Sequence, residues 1–145
     1  MSYYKVFVQT GTIDYGGTDA NVFITLLGKG GDSGERHLAA SDGAFEKGNT
    51  DVFSISSSEL GDLEWVRIRH DNSHDDAGWF LEQIVIEHNG SHALWVFPCH
   101  QWLAVDEGDH RIDRMLHVAT NGGLAHRSGI AMLSAAQSVH AVQIA

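Results

Sequence analysis

The chain has 145 residues, of which 43% are apolar and 19% are charged, and its formal net charge is −10. These values are typical of one globular domain and exclude a disordered chain. The excess of carboxylates argues against a nucleic-acid binder, because phosphate repels a negative surface. The single cysteine, Cys99, cannot form an internal disulfide, and no apolar stretch of about 18 residues is present to cross a bilayer. We therefore expect a soluble, cytoplasmic protein without a transmembrane segment.

Short alternating segments dominate the chain up to residue 118. Residues 3–10 alternate with a period of two, which places Tyr4, Val6 and Val8 on one face and predicts a half-buried strand. Turns rich in Gly, Asn, Asp and Ser separate this segment from later ones. Further strands are predicted over residues 22–27, 52–56, 65–70, 81–87 and 94–97. Many short strands at such spacing predict an all-β fold, an antiparallel β-sandwich.

The last 27 residues differ from the rest, because all 19 carboxylates precede Val118. This composition divides the chain into a sandwich over residues 1–118 and a C-terminal tail over residues 119–145. Aliphatic residues of the tail recur at helical spacing and predict a short helix; the alternative is a poorly ordered terminus. These residues are Met132, Ala136, Val139 and Val142.

Carboxylates gather in three of the turns between the predicted strands, the first, the third and the fourth. They are Asp14, Asp19, Asp42, Glu46, Asp71, Asp75 and Asp76. Alternate loops of a sandwich emerge at the same end, so these carboxylates are expected to converge. A calcium ion would offset their repulsion, since it takes six to eight oxygen ligands in flexible geometry. The alternative is a solvated acidic surface whose Asp residues only stabilise the turns.

Six segments in chain order give a more specific indication. They read TGTIDYGGTDANVFITLLG, GDSGERHL, FEKGNTDVFSI, LGDLEWVRIRHDNS, GWFLEQIVI and FPCHQWL. From about Tyr3 to Leu116 the chain resembles the PLAT domain, the polycystin, lipoxygenase and alpha-toxin homology domain. The resemblance implies a sandwich of two four-stranded sheets. It also implies a non-catalytic targeting module that binds lipid membranes or partner proteins, often through calcium.

The resemblance assigns calcium ligands position by position. Gly17, Thr18 and Asp19 match the GTD motif that supplies calcium oxygens in lipoxygenase and toxin members, and Glu46 matches an acidic ligand position. Gly43-Ala44 stands where strong calcium binders carry Asn-Asp or similar residues, which leaves Asp42 as a substitute. With the acidic turns added, Ca²⁺ is the expected cofactor. The expected ligands are Asp14, Gly17, Thr18, Asp19, Asp42, Glu46, Asp71, Asp75 and Asp76.

Apolar side chains beside the acidic turns are the expected membrane contacts. Ile13 and Tyr15 lie in the first acidic turn, and Trp102 matches a position where some lipoxygenases expose an inserting Trp. Tyr and Trp favour the headgroup level of a bilayer. The other three tryptophans are predicted to pack in the core or on a sheet face.

The predicted function is calcium-dependent binding to a lipid membrane surface. One alternative is calcium-independent docking, in which a sheet face or the tail contacts a protein partner. Another is that the chain targets a larger lipid-acting enzyme. A catalytic role is not expected. Gly31-Asp32-Ser33-Gly34 spells a serine-protease signature, but no histidine precedes His37 in the chain, whereas that protease order requires one.

Overall fold

A computed structural model describes residues 1–39, 43–119 and 138–141, the last four as backbone. Turns and loops connect the strands in this part of the chain, where no helix is found and hence none that could cross a bilayer. The strands are β1 (Ser2–Thr10), β2 (Val22–Gly28), β3 (Gly31–Asp32), β4 (Arg36–His37), β5 (Asn49–Ser57), β6 (Leu63–His70), β7 (Trp79–His88), β8 (Leu94–Leu103), β9 (Asp113–His117) and β10 (Ser138–Ala141).

The strands form two sheets that pack face to face. The first sheet has the order β10-β5-β1-β7-β8, and the second has the order β3-β2-β6-β9, with β4 also paired to β2. Neighbouring strands are antiparallel except for β10, which runs parallel to β5. The predicted antiparallel sandwich is confirmed; with β10 in the first sheet and the short β4 in the second, each sheet contains five strands.

The tail differs from its prediction where it is described. Val139 lies in β10, a strand whose residues pair with Asn49–Val52 of β5, and not in a helix. The edge of β5 offers backbone hydrogen-bonding groups that a strand can use and a helix cannot. The other positions of the predicted helix, Met132, Ala136 and Val142, lie outside the described residues.

The core lies between the sheets and follows the alternation of the sequence. On β6, Val66 and Ile68 are fully buried, whereas Trp65 is 41% exposed on the outer face. Trp79 and Trp95 are buried in the core, as predicted. Burial of each large apolar side chain stabilises the fold by about 1.5–3 kcal/mol, so this alternation fixes which face of each strand points inward.

Loops from both sheets meet at one end of the sandwich. We call this the acidic end and define it by the β1–β2 loop (residues 11–21), the described part of the β4–β5 loop (residues 38–39 and 43–48) and the β6–β7 loop (residues 71–78). The closed end is the opposite one and contains residues 58–62 and 89–93. The acidic end carries the carboxylates on which the functional predictions depend.

Candidate functional site

Thr18 joins the three loops of the acidic end. Its hydroxyl donates a hydrogen bond to the carbonyl of Ala77 (2.6 Å) and accepts one from the N–H of Ala20 (3.1 Å). The N–H of Thr18 donates to the carbonyl of Phe45 at 3.1 Å. The side chain is only 5% exposed, so its hydroxyl is engaged inside the protein. Thr18 therefore fixes the positions of the loops relative to one another.

Gly17 lies where the β1–β2 loop crosses the β4–β5 loop. A Cβ atom at Gly17 would be 2.8 Å from the carbonyl oxygen of Phe45, which only glycine avoids. Phe45 has a φ of 59°, and its buried ring packs against Phe53 and Trp79 at centroid distances of 5.6 and 5.4 Å. This buried ring holds the next residue, Glu46, at the surface beside the crossing.

Three loops contribute carboxylates to one small pocket of about 190 Å³ at this crossing. Asp19, Glu46 and Asp76 are exposed, and none of their carboxylate groups makes a hydrogen bond or ion pair within the described part of the chain. The pocket is lined by Tyr15, Gly17, Thr18, Asp19, Phe45, Glu46, Lys47 and Asp76. Five predicted calcium ligands and one predicted membrane contact, Tyr15, thus line the same pocket, although they are spread over about 60 positions of the chain.

A larger cleft of about 690 Å³ adjoins the small pocket. It shares Thr18, Asp19 and Phe45 with the pocket and adds Asp75, together with His37 and His74. Asp75 and Asp76 are neighbours in sequence but line different cavities. Asp19 lies between the two cavities and is therefore the carboxylate common to both.

Two predicted ligands have protein partners instead. The carboxylate of Asp14 forms an ion pair with Lys47 at 2.9 Å. Asp71 accepts hydrogen bonds from the backbone and side chain of both Asn21 and Ser73. The bonds from Ser73 and then Asn21 hold the pKa of Asp71 well below its usual range. Neither carboxylate lines the pocket, because each is already used to stabilise its loop.

The oxygen donors of the pocket match the chemistry of calcium. Its lining residues include three carboxylates and no His or Cys, and calcium prefers oxygen ligands. Among residues 1–39 and 43–119, however, no group of three or more His, Cys, Asp or Glu side chains is already close enough to hold a metal. Asp42 lies outside the described residues. The donor types therefore fit calcium, and the exposed carboxylates would have to move towards the ion.

His70 is a positioning residue that the sequence analysis did not identify. It is 1% exposed, and its Nε2 bonds to the carbonyl of Leu103 at 2.6 Å, while its Nδ1 accepts the N–H of Asn72 at 3.0 Å. Burial lowers the pKa of His70, so its ring is neutral at physiological pH. The alternation of β6 was the available signal, because it places His70 on the same face as Val66 and Ile68.

The three predicted membrane contacts differ in exposure. Tyr15 is 91% exposed and Ile13 is 41% exposed, so both project from the β1–β2 loop. Trp102 is half-buried, and its ring packs edge-on against Phe80 at 5.4 Å. Trp102 therefore projects less than the two loop residues.

Comparisons with known proteins identify the class to which this sandwich belongs. Residues 4–117 match the model of a family described as PLAT/LH2 domain. The chain therefore belongs to the PLAT/LH2 domain family, as predicted. PLAT domains are targeting modules that interact with lipid or protein.

Individual relatives agree with this assignment. The chain is 46% identical over 111 residues to human lipoxygenase homology domain-containing protein 1, a match that covers 77% of this chain and 5% of that protein. It is 39% identical to mouse polycystin-1-like protein 3, over 86% of this chain and 6% of that protein. The structure of a calcium-dependent 11R-lipoxygenase matches with a TM-score of 0.60 and 25% identity, over 83% of this chain and 18% of that chain. The chain thus spans a small part of each of these proteins.

Proposed function

We propose that the chain is a non-catalytic module that binds lipid surfaces in a calcium-dependent manner through its acidic end. One observation carries the proposal. Asp19, Glu46 and Asp76 come from three loops and line one pocket, and their carboxylate groups have no hydrogen-bond or ion-pair partner in the described part of the chain. Lys47 also lines the pocket, but its ammonium group is paired with Asp14, so these three converging carboxylates are suited to a bound cation.

The residues that would hold calcium follow from this placement. Asp19, Glu46 and Asp76 would supply carboxylate oxygens, and Asp75 would approach Asp19 from the adjoining cleft. Asp42 stays a predicted ligand. When bound, the ion would neutralise the acidic end and offer open coordination positions to an anionic headgroup.

The apolar tips supply the second part of the proposed membrane contact. Tyr15 lines the pocket with the carboxylates and is exposed, and Ile13 projects from the same loop. A ring at the headgroup level would add apolar contact to the ionic bridge. The 25% identical lipoxygenase is described as calcium-dependent, which supports a calcium role for this end. Such a module would bring a longer chain that carries it, such as a lipid-acting enzyme, to its membrane.

Vesicle sedimentation tests this proposal. The full chain is mixed with phosphatidylcholine vesicles that contain or lack phosphatidylserine, in calcium or in chelator. We expect pelleting only with phosphatidylserine and calcium together. Asp19→Asn and Asp76→Asn should each weaken pelleting. Asp62→Asn, which removes the same charge from an exposed site at the closed end, should not. Equal pelleting in calcium and chelator would contradict the proposal.

A further inference from the structure

The outer face of the second sheet carries large exposed side chains that the proposed function does not use. On β6, Trp65 is 41% exposed, and on β9, Met115 is 50% exposed. The register pairs Trp65 with His117, Arg67 with Met115, and Arg69 with Asp113. We call these six residues the β6–β9 face. Trp, Met and Arg are the residue types enriched at protein interfaces.

Contacts across the strands hold this face in place. The Trp65 and His117 rings meet edge-on, with centroids 4.7 Å apart. The Arg69 guanidinium lies 4.3 Å from the centre of the Phe23 ring on β2. Because these side chains are already positioned, less conformational entropy is lost when a partner binds them.

The charges of the face are balanced. Arg67 forms two hydrogen bonds with the Asp113 carboxylate, and Arg69 forms an ion pair with Glu35. The chain as a whole has a net charge of −10, so most of its surface repels a second copy. At this face, positive and negative groups occur in pairs, and that long-range repulsion is reduced.

A groove of about 420 Å³ lies beside the exposed Met115. It is lined by Arg67, Arg111, Ile112, Asp113 and Met115. Its position next to the projecting Trp65 gives one surface both an apolar projection and a recess. Such a surface can complement itself through a two-fold axis.

We propose that the β6–β9 face binds a second copy of this chain in a two-fold dimer. Trp65 of each copy enters the groove beside Met115 of the other, and the Arg67–Asp113 pairs form the surrounding polar rim. A strongly acidic partner or an anionic membrane fits less well, because Asp113 and Glu35 already occupy the guanidinium groups of Arg67 and Arg69, and only Arg111 of the residues that line the groove offers a guanidinium without an ion pair among the described residues. The dimer does not involve the acidic end and does not depend on calcium.

Sedimentation velocity of the full chain, from low to high micromolar concentration in chelator, tests the dimer. We expect a concentration-dependent shift from monomer to dimer. Trp65→Ser and Met115→Ser should each raise the dimer dissociation constant by about tenfold or more, as loss of a central interface residue does. Tyr3→Ser is the matched control, because Tyr3 is 49% exposed on the other sheet, and it should leave the constant unchanged.

Charge variants keep the test decisive if Trp65→Ser disturbs folding. Arg67→Asp should weaken the dimer, and the exchange Arg67→Asp with Asp113→Arg should restore it, because the balanced pair is re-formed. A chain that stays monomeric at every concentration would overturn the proposal. So would a dimer that withstands Trp65→Ser, Met115→Ser and Arg67→Asp, or one that Tyr3→Ser weakens equally.

Discussion

The two ends of the sandwich differ in whether loops bring carboxylates without protein partners into one pocket. At the closed end, Glu59 accepts a 2.6 Å hydrogen bond from the Ser2 hydroxyl and contacts His88 at 3.1 Å. The bond from Ser2 lowers the pKa of Glu59. At the acidic end, Asp19 and Asp76 have no such partner within the described residues. The Glu59 carboxylate thus stabilises the fold at the closed end, whereas the carboxylates of Asp19 and Asp76 are available for a ligand at the acidic end.

The largest expected effects concern two glycines at backbone crossings. A Cβ atom would come within 2.3 Å of the Leu60 carbonyl oxygen at Gly28 and within 2.8 Å of the Phe45 oxygen at Gly17. Gly28→Ala and Gly17→Ala should each lower the free energy of unfolding by about 1–3 kcal/mol, measured by urea denaturation. Only Gly17→Ala should also weaken calcium binding. Equal calcium binding by both variants would show that the loop crossing does not shape the site.

Buried hydroxyls provide the next comparison. Thr18 joins the loops of the acidic end, and the Tyr4 hydroxyl accepts the N–H of Leu60 at 3.0 Å at the closed end. Thr18→Val and Tyr4→Phe each leave buried backbone groups without a partner, which costs about 1–3 kcal/mol. Urea denaturation measures that loss, and calcium titration separates the variants, because only Thr18→Val should lower affinity. The distinction between the two ends fails if Tyr4→Phe lowers the calcium affinity as much as Thr18→Val does.

The strands were predictable where apolar and polar residues alternate with a period of two. The pattern failed at β9, because its buried positions include Arg114, which is only 9% exposed. Its guanidinium donates hydrogen bonds to the carbonyl of Trp102 and to Asp109, which permits a charged residue on the inner face. β3 and β4 have two residues each, too few to show a period. The apolar residues of the tail recur at helical spacing, whereas β10 forms by pairing with the edge of β5.

Part of the candidate site was also predictable from the sequence. Topology and the family motif together indicated that Asp19, Glu46 and Asp76 converge. The local sequence Asp71-Asn72-Ser73 is typical of an Asp-stabilised turn, and this signal was available for the structural role of Asp71. The pairing of Asp14 with Lys47 joins different loops and has no local signal. Long-range pairing of this kind decides which carboxylates stay available.

A smaller effect is expected from acidification, through His70. Because burial lowers the pKa of the folded His70, the unfolded chain takes up its proton first as the pH falls. Stability should therefore decrease as the pH drops below about 6.5, the ordinary histidine value. Thermal melts between neutral and mildly acidic pH measure this slope. His70→Gln should reduce the slope and His74→Gln, which changes an exposed side chain, should not; the reverse result would exclude His70 as its source.

The smallest effect on stability is expected at the exposed tyrosines. Tyr15→Ser at the acidic end and Tyr3→Ser at the closed end should each change the free energy of unfolding by less than about 0.5 kcal/mol. Tyr15→Ser should nevertheless reduce calcium-dependent binding to phosphatidylserine vesicles, and Tyr3→Ser should not. Equal vesicle binding by the two variants would remove Tyr15 from the proposed contact.

Calcium titration of the melting temperature tests the difference between the two ends most directly. A ligand that binds only the folded state stabilises it by about 2.7 kcal/mol at a hundred times its dissociation constant, which corresponds to several degrees for a chain of this size. We expect the wild-type chain and Asp62→Asn to show this rise, and the double variant Asp19→Asn with Asp76→Asn to lose it. A melting temperature of the wild-type chain that stays constant up to millimolar calcium would contradict a calcium site at the acidic end.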